Sequence, residues 1–350
     1  MELLEPNQDQ TKDKDKDQIQ NQDQNQTKDK DQITLEMINK NYKYISILNN
    51  KIKEIIAAQG SCSLKCLIDV IHGLCPELRD YCEANNDKFK VTTVKDKGLA
   101  GKIVEYKLFG NLPNSDSCPD LEYGDIKTTH FKNINTGTKS FNAKERLTLT
   151  NFGDPGKQEN IDIISDKNTI QETKFYGKIK SGIILIFQHQ TQSQKQSKNK
   201  KKKNENETET EPVDEENQIK DEEEAETETQ IVLGEPILDA TKKVDTFETI
   251  ESYDNKKILG IVFYNLDDVF SQSPEITSTF QDDFNKIKKC IVEKNVTQAG
   301  QQYLHIHKHG CKNGVTRAFG FTNKFLTRLV SIYLGVPLII KGRSEYIEFV

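Results

Sequence analysis

The stretch KGLAGKIVEYKLFGNLPNSDSCPDLEYGDIKTT, Lys97 to Thr129, decides how the rest of the chain is read. Leu99, Ile103, Tyr106 and Leu108 recur at roughly helical spacing with Glu105 among them, so its first part reads as an amphipathic helix. Gly110, Pro113 and Asn114 end that helix. Pro119-Asp120 opens a second element, and Asp125-Ile126-Lys127 follows with the i, i+2 spacing of a strand. Successive strand side chains point to opposite faces, so Asp125 and Lys127 share one face and Ile126 takes the core side. Two carboxylates and a lysine beside a helix that offers Glu105 make a site for a hard divalent cation and a water.

The pattern Pro-Asp-x4-Asp-x-Lys is the signature of the PD-(D/E)xK nucleases. Short Asp/Lys combinations arise by chance in a chain that is 30% charged, so the neighbouring segments matter. Lys97 to Gly101, Glu105 and Leu108-Phe109-Gly110 resemble the helix preceding this motif in the MutH mismatch-repair nickase and GATC-cutting Sau-type restriction endonuclease family. Asn142 to Leu149, NAKERLTL, resembles the strand that follows the motif in Sau-type enzymes. Further on, Asp282 to Gly300, Gln302 to His309 and Arg317 to Phe325 are similar to the family's late helix, base-reading strand and C-terminal segment. The resemblance covers residues 40–187 and 230–335, about 250 positions.

That resemblance implies an α/β fold with a restriction-endonuclease-like core, a central mixed β-sheet flanked by helices, and an N-terminal helical arm. It implies Mg2+-dependent, sequence-specific cleavage of double-stranded DNA at or near GATC, by a monomer or a DNA-induced dimer. Asp120 and Asp125 are then metal ligands with the Ile126 carbonyl, Glu105 holds a second metal or its water, and Lys127 orients or deprotonates the attacking water. Lys144 approaches the phosphate. His307, Lys308 and His309 enter the major groove, and Arg317 and Lys324 also contact DNA. Two departures stand out. The family has six residues between its first aspartate and the next acid, whereas Asp120 leaves four before Asp125 and Asp116 leaves eight. The third acid is Asp125 in place of glutamate. Asp120, which carries the Pro-Asp signature, is the chosen ligand and Asp116 the reserve.

Two other readings compete. Sau-type enzymes carry a second, inactive copy of the fold that only binds DNA, so a catalytically silent DNA-binding module is the alternative function. His305, His307 and His309 alternate on one strand face with Cys311 beyond, which also suits a shared zinc. Cys62 and Cys66 offer half a zinc site, but no second pair has ligand spacing and buried thiols explain them better.

Composition sets the remaining bounds. From Asn204 to Gln230 there are thirteen acidic residues and one lysine, a net of −12. The whole chain of 350 residues carries −6, so the other 323 carry about +6, a mildly basic balance suited to DNA. No apolar run is long enough to span a membrane, and the N-terminus lacks a secretory h-region. Seven cysteines without regular pairing fit a reduced, intracellular protein.

Along the chain, residues 1–33 read as a disordered polar tail and 34–92 as the helical arm. The arm is expected to hold one helix from Leu35 to Ala58, a second from Ser63 to His72, and a polar connection from Arg79 to Val91. The first part of the catalytic core spans 93–189, with strands at Arg146–Asn151 and a strand pair within Phe175–Phe187. Residues 190–230 read as a disordered insertion, lysine-rich and then acidic. The core resumes over 231–350, with strands at Gln230–Gly234 and Ile258–Tyr264 and a helix over Phe280–Val292.

Overall fold

SGIILIFQ, Ser181–Gln188, is the strand on which the larger sheet is built, and its apolar run is continuous because both of its faces are covered. Ile183, Leu185 and Phe187 point into one hydrophobic core, while Ile184 and Ile186 point into a second on the opposite side. A computed structural model of the chain describes residues 33–89, 98–112, 119–134, 139–155, 157–189, 254–293, 300–308 and 316–349. Of the expected tail, residues 1–32 lie outside these residues, while its last residue, Ile33, is buried in the first of these cores. The insertion at 190–230 and the strand at Gln230–Gly234 also lie outside, as do Asp116, His309 and Cys311.

The first core is closed by the N-terminal helices. These are α1 (Leu35–Lys40), α2 (Lys43–Gln59), α3 (Leu64–Leu74), α4 (Pro76–Ala84) and α5 (Leu99–Phe109), with the short strand β1 (Cys62–Ser63) between α2 and α3. The helix expected over Leu35–Ala58 is two. Asn41 leaves the helical region at φ −126°, and its side chain accepts the Lys43 amide at 3.0 Å, restarting the chain in a new direction. Ser63 caps α3, its hydroxyl accepting from Cys66 N at 3.1 Å. The first part of the expected polar connection, Arg79 to Ala84, is instead the end of α4: Pro76 at its first turn and Glu77 beside it favour helix initiation, and Leu78 and Cys82 face the core. Cys62 and Cys66 are free thiols, and Cys62 is fully buried.

Among the described residues seven strands form the larger sheet. Their chain order is β1, β2 (Asp125–Asn133), β3 (Ser140–Ala143), β5 (Ser181–Gln188), β6 (Lys257–Asn265), β9 (Leu338–Lys341) and β10 (Ser344–Glu348). Their spatial order is β1-β6-β5-β2-β3-β10-β9, and β2 runs parallel to β5 while the other neighbours are antiparallel. The molecule is thus α/β, with a mixed sheet flanked by helices. A three-stranded antiparallel sheet packs within the second core in the order β4 (Leu147–Gly153), β8 (Arg317–Phe321) and β7 (Leu304–Lys308). Around it lie α6 (Gln158–Ser165), α7 (Tyr176–Ile179), α8 (Leu266–Gln272), α9 (Pro274–Val292) and α10 (Asn323–Leu334). Phe175–Phe187 is therefore the turn α7 followed by one strand, β5, where a strand pair was expected. No helix among the described residues is long and apolar enough to cross a membrane.

Candidate active site

Asp125 and Lys127 begin β2, and the strand's alternation does what the spacing predicts. Ile126 is buried in the first core, while Lys127 Nζ stands 3.1 Å from Asp125 Oδ2 on the other face. The Asp120–Gly124 turn leads into the strand. Asp120 Oδ2 accepts the Ile126 amide at 2.8 Å, Asp125 Oδ1 accepts the Asp120 amide at 3.3 Å, and Leu121 bridges back to Gly124. Gly124 has φ +154°, and a Cβ there would stand 2.8 Å from Gly182 Cα. Only glycine lets this turn lie so close to β5, and that approach sets where Asp125 sits.

Helix α5 brings Glu105 to the same place. Burial, then the charges of Asp120 and Asp125, push its carboxyl up to about 7 against the opposing pull of Lys127. Asp120 is also raised, by burial and by Asp125, despite its bond from the Ile126 amide. Three acids thus crowd one partly buried place. Crowded oxygen donors of this kind suit a hard divalent cation, whose charge would favour their ionised forms. Among the described residues no three His, Cys, Asp or Glu gather as a preformed cage. At the aspartates, Asp120 turns one oxygen to a backbone amide and Asp125 turns one to Lys127.

A second lysine joins the site, which the spacing of the motif does not reveal. Lys178, on the short helix α7, places Nζ 4.0 Å from Asp125 Oδ2. Lys144 was expected near the phosphate, but it lies elsewhere. Its amide donates to His130 O at 2.8 Å, five strand positions beyond Asp125, or roughly 16 Å along β2. The cause is the antiparallel pairing of β3 with the far half of β2, Phe131 opposite Ala143.

The remaining DNA-contact candidates split between the two ends of the smaller sheet. Lys308 pairs across the ladder with Arg317, and Arg317 pairs with Gly153 of β4. Phe152 packs on Phe175 at 5.5 Å, immediately before the helix that carries Lys178, so this end lies toward the carboxylates. Lys324 sits at the opposite end, roughly 13 Å away along β8, where it pairs with Glu345 at 3.3 Å. Lys308 is exposed, but His307 is not: it is 5% exposed, its Nε2 lies 3.0 Å from Thr148 Oγ1, and its ring stacks on His305 at 4.7 Å. The expectation of groove contact by His307 is corrected accordingly, because both faces of β7 are covered. A shared zinc at His305 and His307 would need His309 or Cys311, which lie outside the described residues.

Glu105 offers a test of the crowding. Its carboxyl is raised above the ordinary 4.5 to about 7, so folding favours its protonated form. Its contribution to stability is complete below about pH 4.5 and is lost as pH rises through about 7. Without divalent cations, the stability difference between Glu105→Gln and wild type is expected to move in favour of the variant across that window, by up to about 3 kcal/mol. Urea midpoints at successive pH values read it, and parallel curves for the two proteins would show that burial and the aspartates together do not raise Glu105.

No protein-family model matches the chain, and no curated protein matches it.

Proposed function

We propose that this chain is a Mg2+-dependent endonuclease of double-stranded DNA, built on a restriction-endonuclease-like core and related to the MutH and Sau-type enzymes. One observation carries this reading: Glu105, Asp120 and Asp125 crowd together with Lys127 and Lys178 at the start of one strand. Asp120, Asp125 and the Ile126 carbonyl would hold Mg2+, with Glu105 beside them. The ion supplies charge neutralisation at the phosphate and a more acidic water. Lys127, held by Asp125, would orient that water and stabilise negative charge at the phosphorus. Lys178 adds a second positive charge on the same oxygen's side, where a scissile phosphate would lie. Lys308 and Arg317, at the nearer end of the smaller sheet, would carry DNA contacts. Cleavage at or near GATC, an intracellular location and a monomer or DNA-induced dimer belong to the same reading.

Lys308→Ala gives a direct reading of the surface. If Lys308 meets a backbone phosphate, its removal weakens binding to all sequences alike and lowers the slope of log K on log salt by about one. If it meets a base edge, its removal instead reduces discrimination by about 1–3 kcal/mol at one position. Titrations at several salt concentrations separate the two, and unchanged binding would remove Lys308 from the interface.

A second reading is a catalytically silent DNA-binding module, favoured by the lack of a preformed three-ligand cage among the described residues. Cleavage assays with Mg2+ on wild type, Asp120→Ala and Lys178→Ala decide between them. Abolished activity in both variants supports the endonuclease; binding without cleavage by the wild type supports the silent module.

A further inference from the structure

The far end of the smaller sheet holds a cavity of about 440 Å3 that no step above uses. Its walls come from three places that strand pairing brings together: Arg146 just before β4, Gln301 just before β7, and Thr322, Asn323 and Lys324 just after β8. His305 completes the lining from β7. It is 4% exposed, and its Nε2 has no hydrogen-bond partner among the described residues. The side-chain nitrogen of Gln301 is also buried and without a partner there. A buried polar atom left unpaired costs about 1–3 kcal/mol, so two such nitrogens on residues that line the cavity, His305 Nε2 lying against Gly320, point to a ligand that accepts hydrogen bonds.

The charges agree. Among the described residues Arg146 and Lys324 line the cavity and no acidic residue does, although Lys324 shares its charge with Glu345 at 3.3 Å. The cavity also meets the start of α10, a helix of 12 residues. Thr322 caps it by accepting the Phe325 amide at 3.2 Å. The Asn323 and Lys324 amides have no acceptor within the helix, and the helix dipole adds positive potential at that end. His305 is held neutral, its pKa pushed down to about 3 by burial and by the charges of His307 and Arg146. A neutral imidazole and an amide can each donate without adding a buried charge.

We propose that this cavity binds a phosphate group, held by Arg146, Lys324, the α10 N-terminus and the side chains of His305 and Gln301. It lies at the end of the smaller sheet away from Lys308 and Arg317, so it is separate from the carboxylate site and does not depend on the nuclease reading. The phosphate can belong to a DNA backbone or to a small molecule such as a nucleotide, and the test distinguishes these.

Isothermal titration of the full chain with inorganic phosphate, and separately with a nucleoside 5′-monophosphate, reads occupancy directly. One saturable site is expected, weakened about tenfold or more in Arg146→Ala and likewise in His305→Phe, which keeps a ring but removes the nitrogens. Arg146 is exposed, so its variant keeps the proposal testable if His305→Phe does not fold. Competition then assigns the source: phosphate that displaces double-stranded DNA marks a backbone contact, and phosphate that binds beside DNA marks a small-molecule site. No saturable uptake, or uptake equal in wild type and Arg146→Ala, overturns the proposal.

Discussion

Asp125→Ala is expected to abolish Mg2+-dependent cleavage, by about a thousandfold or more, while DNA binding persists. Asp125 is 5% exposed and links the parts of the site: its two oxygens meet the Asp120 amide, Lys127 and, at 4.0 Å, Lys178. Removing it takes away a proposed metal ligand and the anchor of both lysines together. Losing a single preorganised charge-stabilising group already costs about 100- to 1000-fold in rate, and here several are loosened at once. The proposed DNA contacts at Lys308 and Arg317 are on other strands, so affinity should change little. Single-turnover cleavage beside a binding titration measures both, and a variant cutting within tenfold of wild type would detach Asp125 from the chemistry.

Asp283→Ala is expected to lower stability by about 3–5 kcal/mol. Asp283 lies on α9 and is fully buried, yet it is anchored by the chain entering β7. Its carboxylate accepts the amides of Gln302 at 2.9 Å, Tyr303 at 2.6 Å and Leu304 at 3.0 Å, and Lys286 lies 3.9 Å off. Alanine would leave those amides unpaired at the base of the strand that ends in Lys308. Its neighbour Asp282 is exposed, so Asp282→Ala should stay within about 0.5 kcal/mol of wild type. Urea unfolding of both variants measures the contrast, and an Asp283→Ala effect below about 1 kcal/mol would contradict the anchoring role.

The centre of the site was legible because it is local. Asp120, Asp125 and Lys127 fall within a turn and the start of a strand, where period-two alternation alone fixes which side chains meet. Glu105 was legible through the amphipathic pattern of α5 and the resemblance. Lys178 was not, because a four-residue helix distant in sequence reaches Asp125 only through the packing of α7 beneath the sheet. Asp283 looked like any polar position of an amphipathic helix, since spacing does not report which acid meets a strand's amides. His307 misled for a related reason: alternation told which histidines share a face, but His307 is buried within β7, so sharing a face did not mean exposure. At α4 the opposite error arose, where Pro76 and Glu77 marked a helix start that the polar composition masked.

The most direct measurement incubates the purified chain with supercoiled plasmid carrying GATC sites, adenine-methylated or unmethylated, with Mg2+ or with a chelator. Conversion to nicked or linear DNA is expected with Mg2+, no conversion with the chelator, and none for Asp125→Ala under either condition. Plasmid that stays supercoiled with Mg2+, or is cut equally by Asp125→Ala, would contradict an endonuclease site at Asp120, Asp125 and Lys127.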